Sequence, residues 1–253
     1  MIRKPSIKSA GAGVVLCVQA ALAGPPMVTD DTGTATTGVF EIIAYAAHEE
    51  RDSGESTEGP ALDLAYGVSD TVEVSLVIPR QRVQDTGQPS ISGWGEAVVG
   101  VKWRFFDGAN SALAIAPSLA TPLSRSSTIR GLVADTTVFT LPLVGSIRLG
   151  RWEFTGNLGY SVSSSDLDAL SVSASTGYDM TPNLRVLGEF WGVDFVNDGA
   201  SQGFINWRAG IQWNLREDLA LLCATGANIW SQLGSENELK HDVFVGIQYN
   251  IGK

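Results

Sequence analysis

The chain has 253 residues and a formal net charge of −10, and 17% of its residues are charged. A typical soluble domain carries roughly 25% charged residues, and no apolar run after residue 24 is long enough for a membrane-spanning helix, which excludes a helical membrane protein. The acidic balance also argues against a nucleic-acid partner, because nucleic-acid binders normally present a basic face.

The first 23 residues have the features of a secretory signal peptide. A basic start (Arg3, Lys4 and Lys8) precedes the apolar stretch 10–22, and Ala21-Leu22-Ala23 is a small-x-small cleavage sequence. We therefore predict residues 1–23 to be the signal peptide, with cleavage before Gly24. Export would leave 14 basic against 27 acidic residues, a mature charge of about −13.

Residues 24–37 are rich in Gly, Pro, Thr and Asp and predict an irregular periplasmic leader. Asp30-Asp31 could bind a cation there, but a solvated pair is the simpler interpretation. Cys223 would be the only cysteine left, so an internal disulfide is excluded. His48 and His241 stand at opposite ends of the chain, so we expect no metal and no cofactor.

From residue 39 onward the chain predicts twelve strands. The alternation is clearest in 203–215 and 241–251, where apolar residues occupy every second position, as in a strand with one apolar and one polar face. The predicted strands are 39–48, 61–67, 71–78, 94–106, 111–120, 136–149, 152–162, 169–178, 184–193, 203–215, 219–230 and 241–251.

The connections alternate in length, which is typical of outer-membrane barrels with short periplasmic turns and longer outer loops. The short ones are 68–70, 107–110, 150–151, 179–183 and 216–218, and the longer ones are 49–60, 79–93, 121–135, 163–168, 194–202 and 231–240. We therefore predict that residues 38–253 form a transmembrane antiparallel up-and-down β-barrel, all-β, of about twelve strands.

Two sets of side chains follow from the strand parity. Aromatic residues at the apolar, alternate positions of the strands cluster at strand ends near short turns. This arrangement predicts a periplasmic aromatic girdle. The girdle candidates are Tyr66, Trp103, Phe105, Trp152, Phe154, Tyr178, Trp213 and Tyr249. Charged residues stand at the other alternate positions, on the polar face that is predicted to line the lumen. The lumen-lining candidates are Glu41, Asp63, Glu73, Glu96, Lys102, Arg104, Glu153, Arg185, Glu189 and Arg208.

Several stretches together resemble a known family. They are Pro26 to Thr34, Trp94-Gly95-Glu96 with residues 99–105, Leu141-Pro142-Leu143, residues 157–160 and residues 187–190. In this order they resemble the family described as the putative MetA-pathway of phenol degradation, over residues 25–251. The resemblance implies a Gram-negative outer-membrane barrel of transporter type, and the family's description suggests aromatic or hydrophobic solutes.

The expected function is an outer-membrane channel or transporter for small solutes, whose partners are membrane lipid, lipopolysaccharide and the solute. Two alternatives stay open: a closed structural or surface-interaction barrel whose lumen charges only pair with each other, and a soluble secreted barrel that binds an apolar ligand. No serine stands beside His48 or His241 in a way that indicates a hydrolase, so we expect no enzyme activity.

Overall fold

A computed structural model describes residues 24–165, 167–197 and 200–252, so the predicted signal peptide lies outside the described residues. Most of the described chain is β-structure, with one short helix α1 (Arg125–Ile129) and a 3-10 helix (Ser235–Asn237). The strands are β1 (Phe40–Arg51), β2 (Gly54–Ser69), β3 (Val72–Asp85), β4 (Ile91–Trp94), β5 (Glu96–Asp107), β6 (Ser111–Ile115), β7 (Ser118–Pro122), β8 (Val138–Leu149), β9 (Trp152–Ser163), β10 (Asp168–Thr181), β11 (Leu184–Asn197), β12 (Ala200–Arg216), β13 (Leu219–Ser231) and β14 (Leu239–Ile251). Within these ranges, no helix is both long and apolar enough to cross a membrane.

The fourteen strand segments of the described chain make one closed antiparallel sheet with twelve strand positions around the barrel. β4 and β5 follow each other at one of these positions, and both pair with β3. β6 and β7 share the next position, and both pair with β5 and β8. A break between β6 and β7 falls at Pro117, which has no N–H to donate to a ladder. β1 pairs with β14 and closes the barrel, so the predicted twelve-stranded barrel is confirmed.

The two faces of the sheet are reversed relative to a soluble protein. In β8, Phe139, Leu141 and Leu143 are exposed on the outer surface, whereas the residues between them, such as Thr140 and Val144, are fully buried. Small polar side chains bridge neighbouring strands on the inner face, as in the 2.8 Å hydrogen bond between the Thr140 and Ser161 hydroxyls. An outer face of this kind is stable only where lipid covers it.

Three of the predicted loops are largely strand, and one of them, 194–202, is taken up by the end of β11 and the start of β12. β1 continues to Arg51 and β2 begins at Gly54, so only Asp52 and Ser53 connect them where a loop over 49–60 was expected. Likewise β3 runs to Asp85 and takes up part of the expected loop 79–93. The prediction relied on apolar alternation, which lipid contact imposes, and backbone pairing continues beyond the stretch where side chains need that pattern.

The barrel has two distinguishable ends. Short connections join the strands at one end, which we name the turn end. Phe40 and Ile251 lie at this end and pair with each other in the β1–β14 ladder. At the opposite end, named the loop end, lie α1, the 3-10 helix and the connection 123–137. The segment that precedes β1 enters the barrel from the turn end.

Candidate functional site: the N-terminal segment inside the lumen

The N-terminal segment, residues 24–39, is attached to the turn end before it enters the lumen. The Gly38 N–H donates to the Gly67 carbonyl at 2.8 Å, and the Thr34 hydroxyl donates to the Asp70 carbonyl at 3.0 Å. Gly67 has to be glycine, because a Cβ there would lie 2.2 Å from the Thr36 carbonyl oxygen. The segment therefore starts its path against the first turn of the barrel.

Glu189 on β11 binds the backbone of the segment deep in the lumen. Its two carboxylate oxygens accept hydrogen bonds from the N–H groups of Val28 and Thr29, both at 2.8 Å. The Thr29 hydroxyl donates a third, at 2.7 Å. Hydrogen bonds to an ionised acceptor are stronger than neutral ones, and all three participants are buried. One carboxylate thus fixes the position of two consecutive residues.

Arg208 on β12 completes this clamp. It donates to Asp242 on β14 through Nε at 2.8 Å and through a second, shorter contact, and it donates to the Pro26 carbonyl at 3.3 Å. Arg208 and Asp242 reach each other across β13 because Gly226 lies between them, and a Cβ on Gly226 would come within 2.6 Å of the Asp242 carboxylate. We name Glu189, Arg208 and Asp242 the clamp.

Asp30 and Lys102 fix the segment at a second point. The Lys102 ammonium lies 2.7 Å from the Asp30 carboxylate. Asp30 belongs to the segment and not to a strand, and burial raises the pKa of its carboxyl to about 6, although the Lys102 charge opposes the shift. Closer to the turn end, the Ala35 N–H donates to Glu73 at 2.6 Å. Strand-borne charges therefore hold the segment along its length.

Apolar side chains of the segment fill the lumen on both sides of the clamp. Met27 packs in a buried cluster with Ile43, Leu222 and Phe244. The neighbouring residue packs in another buried cluster, whose members are Val28, Ala169, Trp191, Val193, Phe195 and Phe204. The lumen near these clusters is apolar and aromatic, which the sequence-based expectation of a polar lumen did not include.

Two cavities flank the buried part of the segment. One, about 310 Å³, lies toward the turn end. Its charged lining among the described residues is one lysine against five carboxylates, namely Lys102 with Asp30, Asp31, Glu41, Asp63 and Glu73. We name it the acidic chamber. The smaller cavity, about 70 Å³, lies between the segment and the β1, β2 and β14 strands, where Tyr45 and Phe244 stack with ring centroids 5.2 Å apart.

The remaining lumen candidates occupy other places. Glu153 and Arg185 pair with each other at 3.0 Å in a network at the turn end that also contains Arg148 and Asp179. Arg104 pairs with Asp107 at 3.2 Å at the same end, and Glu96 is buried at the start of β5. A role in solute passage stays a prediction for each of these candidates.

Sequence reasoning missed Asp242 as a site residue and interpreted Asp30 as solvated. The parity of β14 could have identified Asp242, because it lies on the same face as Phe244 and Gly246, opposite to the outward Val243 and Val245. Nothing in the sequence around Asp30 indicates that Lys102, on a distant strand, would lie beside it. Among the described residues, no group of three or more His, Cys, Asp or Glu side chains is placed to hold a metal ion.

The girdle candidates lie near the turn end of the outer surface. Trp152 contacts Tyr178 and Phe154 with ring centroids 4.6 and 6.1 Å apart, and Trp103 contacts Phe105 at 5.9 Å. Most of the eight are exposed, and Tyr66 and Tyr178 are half-buried; the exposed ones are Trp103, Phe105, Trp152, Phe154, Trp213 and Tyr249. Their assignment to the periplasmic interface stays a prediction.

Solved structures share this architecture at low sequence identity. The COG4313 outer membrane channel from Pseudomonas putida F1 is 16% identical with a TM-score of 0.69, over 87% of this chain and 97% of that one. The translocator domain of the autotransporter NalP from Neisseria meningitidis is 12% identical with a TM-score of 0.60, over 97% and 99%. The KdgM porin in complex with disordered oligogalacturonate is 10% identical with a TM-score of 0.57, over 83% and 98%.

These similarities show an outer-membrane barrel fold. Among curated protein sequences, no relative matches the chain. The sequence profile of one family matches residues 23–237, which is most of the chain and includes the segment in the lumen as well as β1 to β13. The chain therefore belongs to the family described as the putative MetA-pathway of phenol degradation.

Proposed function

We propose that this protein is exported by its signal peptide to the outer membrane and acts there as a channel for small solutes, with the N-terminal segment controlling the passage. The observation that carries the proposal is the position of residues 24–39, which fill the lumen but belong to no strand. Every strand except the short β4 pairs on both sides without them, and β4 pairs with β3. The barrel wall therefore does not depend on the segment, and its withdrawal would leave an open lumen.

The contacts of the segment suit reversible docking. The clamp binds it largely through the backbone N–H groups of Val28 and Thr29 and the Pro26 carbonyl. Such bonds can be exchanged for bonds to water in an open lumen, which makes their net free energy small compared with their gross strength. The apolar contacts of Met27 and Val28 oppose opening, so the closed arrangement is expected to predominate.

The aromatic lining favours solutes with an apolar or aromatic part. The Phe204 ring contacts those of both Trp191 and Phe195 inside the lumen, with Trp191 and Phe204 in an edge-on arrangement at 5.0 Å. Edge and face contacts of this type extend readily to an aromatic ring in transit. The charged residues of the acidic chamber supply polar contacts further along the same path. This substrate class agrees with the description of the family.

We also propose an orientation and a set of partners. The turn end would face the periplasm, and the loop end would face the cell exterior and contact lipopolysaccharide. Membrane lipid would cover the exposed apolar belt, of which Val99, Val101 and Leu158 are examples. We propose no enzyme activity, because the charged groups of the clamp and Lys102 bind the segment and each other.

The closed structural barrel remains the second candidate, because the clamp places three charged groups in a buried network. Swelling of liposomes that contain the purified protein discriminates the two. We expect phenyl glucoside to enter faster than methyl glucoside, the matched solute without the ring, and deletion of residues 25–37 to accelerate both. A barrel that admits neither glucoside, with or without the deletion, is structural.

A further inference from the structure

Gly24, at which the mature chain is predicted to begin, lies inside the lumen. It lines the acidic chamber, and a Cβ built on it would lie 3.3 Å from the Asp30 Oδ1 atom and 3.3 Å from the Thr29 carbonyl oxygen. Its carbonyl accepts a hydrogen bond from the Met27 N–H at 3.1 Å, so the segment folds back on itself here. The α-amino nitrogen is bonded to the same Cα and therefore belongs to this chamber.

The acidic chamber holds fewer cations than carboxylates among its described lining residues. Lys102 pairs with Asp30, while the other described contacts to the chamber carboxylates come from neutral donors such as the Ala35 N–H on Glu73 and the Gln248 amide on Glu41. Asp63 pairs with its strand neighbours through the backbone, and no described residue donates a hydrogen bond to its carboxylate or forms an ion pair with it. Buried charges are stable when they are paired, so the chamber favours an additional positive group.

An acceptor without a donor lies in the same chamber. The Asn250 Oδ1 atom is buried and accepts no hydrogen bond from the described residues, and Asn250 lines the chamber together with Gly24. An ammonium group offers three N–H donors and no acceptor. Its chemistry therefore fits both the excess carboxylates and the unmet amide oxygen.

We infer that cleavage before Gly24 creates an α-ammonium group that binds in the acidic chamber as its second cation, beside Asp30, and locks the N-terminal segment in the lumen. Removal of the signal peptide converts a neutral peptide N–H at Gly24 into a charged donor. Docking of the segment is then coupled to processing, because the uncleaved chain has no charge at this position to pair with the chamber.

Amine labelling of the purified barrel tests the inference directly. Cleavage of the mature chain after Arg and Lys releases residues 24–51 as one peptide, which contains no lysine, so label on it reports the α-amine alone. Lys240, whose side chain is 48% exposed near the loop end, serves as the internal reference. Mass spectrometry first confirms that the chain starts at Gly24.

The inference predicts that the order of the labelling rates of the α-amine and Lys240 is reversed between the folded and the unfolded protein. A free α-amine has a pKa near 8 and a free lysine near 10.4, so at pH 8 an unshielded α-amine should label about a hundredfold faster. We expect that order in urea, and the reverse order in the folded barrel, with the α-amine slower than Lys240. An α-amine that labels faster than Lys240 in the folded barrel, or a mature chain that starts elsewhere, would overturn the inference.

Carboxylate variants then identify the partners. Asp63→Asn combined with Glu41→Gln should raise the labelling rate of the α-amine by about tenfold, which corresponds to the loss of one charge-assisted hydrogen bond. Glu55→Gln, at an exposed position of β2, is the matched control and should leave the rate unchanged. An equal rate in both variants would assign the shielding to the chain fold alone and contradict a charge-based lock. The labelling experiment needs no conductance, so it is independent of the proposed channel function.

Discussion

Glu189 and Arg208 occupy directly opposed positions on β11 and β12, yet the Arg208 Nη1 and Glu189 Oε1 atoms are 4.0 Å apart and form no hydrogen bond with each other. Arg208 donates instead to Asp242, two strands away. This division leaves both oxygens of Glu189 free to accept from the N-terminal segment. A cross-strand pair that could have closed on itself therefore holds a peptide in the lumen.

The first prediction concerns the Glu189 carboxylate. Glu189→Gln replaces one acceptor oxygen with an NH₂ group that faces the Val28 and Thr29 donors, so the segment should leave the clamp more often. Loss of one hydrogen bond to a charged group corresponds to about 1.5–3 kcal/mol, or roughly a tenfold or greater rise in opening. In a Cys223→Ser background, Val28→Cys should react with a thiol reagent about tenfold faster when Glu189→Gln is present. The same rate with and without Glu189→Gln contradicts the clamp.

The second prediction concerns Arg208. Arg208→Ala leaves Asp242 buried without its cation, and removal of one partner from a buried pair costs about 3–5 kcal/mol. Arg216→Ala is the control, because its pair with Asp218 is exposed and such pairs contribute about 0–1 kcal/mol. Urea unfolding followed by tryptophan fluorescence should show a much lower midpoint for Arg208→Ala. Indistinguishable midpoints would show that the Arg208 network contributes nothing to stability.

The third prediction concerns the two faces of β5. Val101 is 41% exposed on the outer face, whereas the Lys102 side chain points inward to Asp30. Val101→Arg should impair insertion, because an arginine on the lipid face costs about 2–4 kcal/mol near the bilayer midplane. Lys102→Ala should insert normally and loosen only the segment. Heat-modifiable migration on gels reports folded barrel, and equal yields for the two variants would contradict this assignment of faces.

The fourth prediction concerns orientation. In a Cys223→Ser background, Ser53→Cys and Ser126→Cys at the loop end should react with a membrane-impermeant thiol reagent on intact cells. Ala109→Cys and Glu217→Cys at the turn end should react only after the cells are broken. The reason is that short turns and chain termini of bacterial barrels face the periplasm. Labelling of Ala109→Cys but not Ser53→Cys on intact cells would reverse the orientation.

The alternation of apolar and polar residues made the barrel wall predictable, because contact with lipid requires an apolar residue at every second position of each strand. It worked for β12, where Ile205, Trp207 and Ile211 are exposed. It failed where lipid no longer acts: the continuations of β1 and β2 pair as Glu49↔Ser56 and Glu50↔Glu55, without an apolar face.

The contents of the lumen were less predictable. Strand parity indicated that Glu189 and Arg208 point inward, but parity says nothing of what they bind. The partner is a Gly- and Pro-rich segment whose own sequence has no periodicity, and its position depends on side chains about 160 residues away. Parity also places Trp191 on the same inward face as Glu189, but it did not indicate the buried aromatic cluster that Trp191 forms with Phe195 and Phe204.

Single-channel recording in planar bilayers tests the central claim most directly, that residues 24–39 control an otherwise open barrel. We compare the wild type, the Glu189→Gln variant and a variant without residues 25–37. The account predicts small or infrequent openings for the wild type, more frequent openings for Glu189→Gln, and a larger, steady conductance for the deletion. A correctly folded deletion variant that conducts no more than the wild type would contradict it.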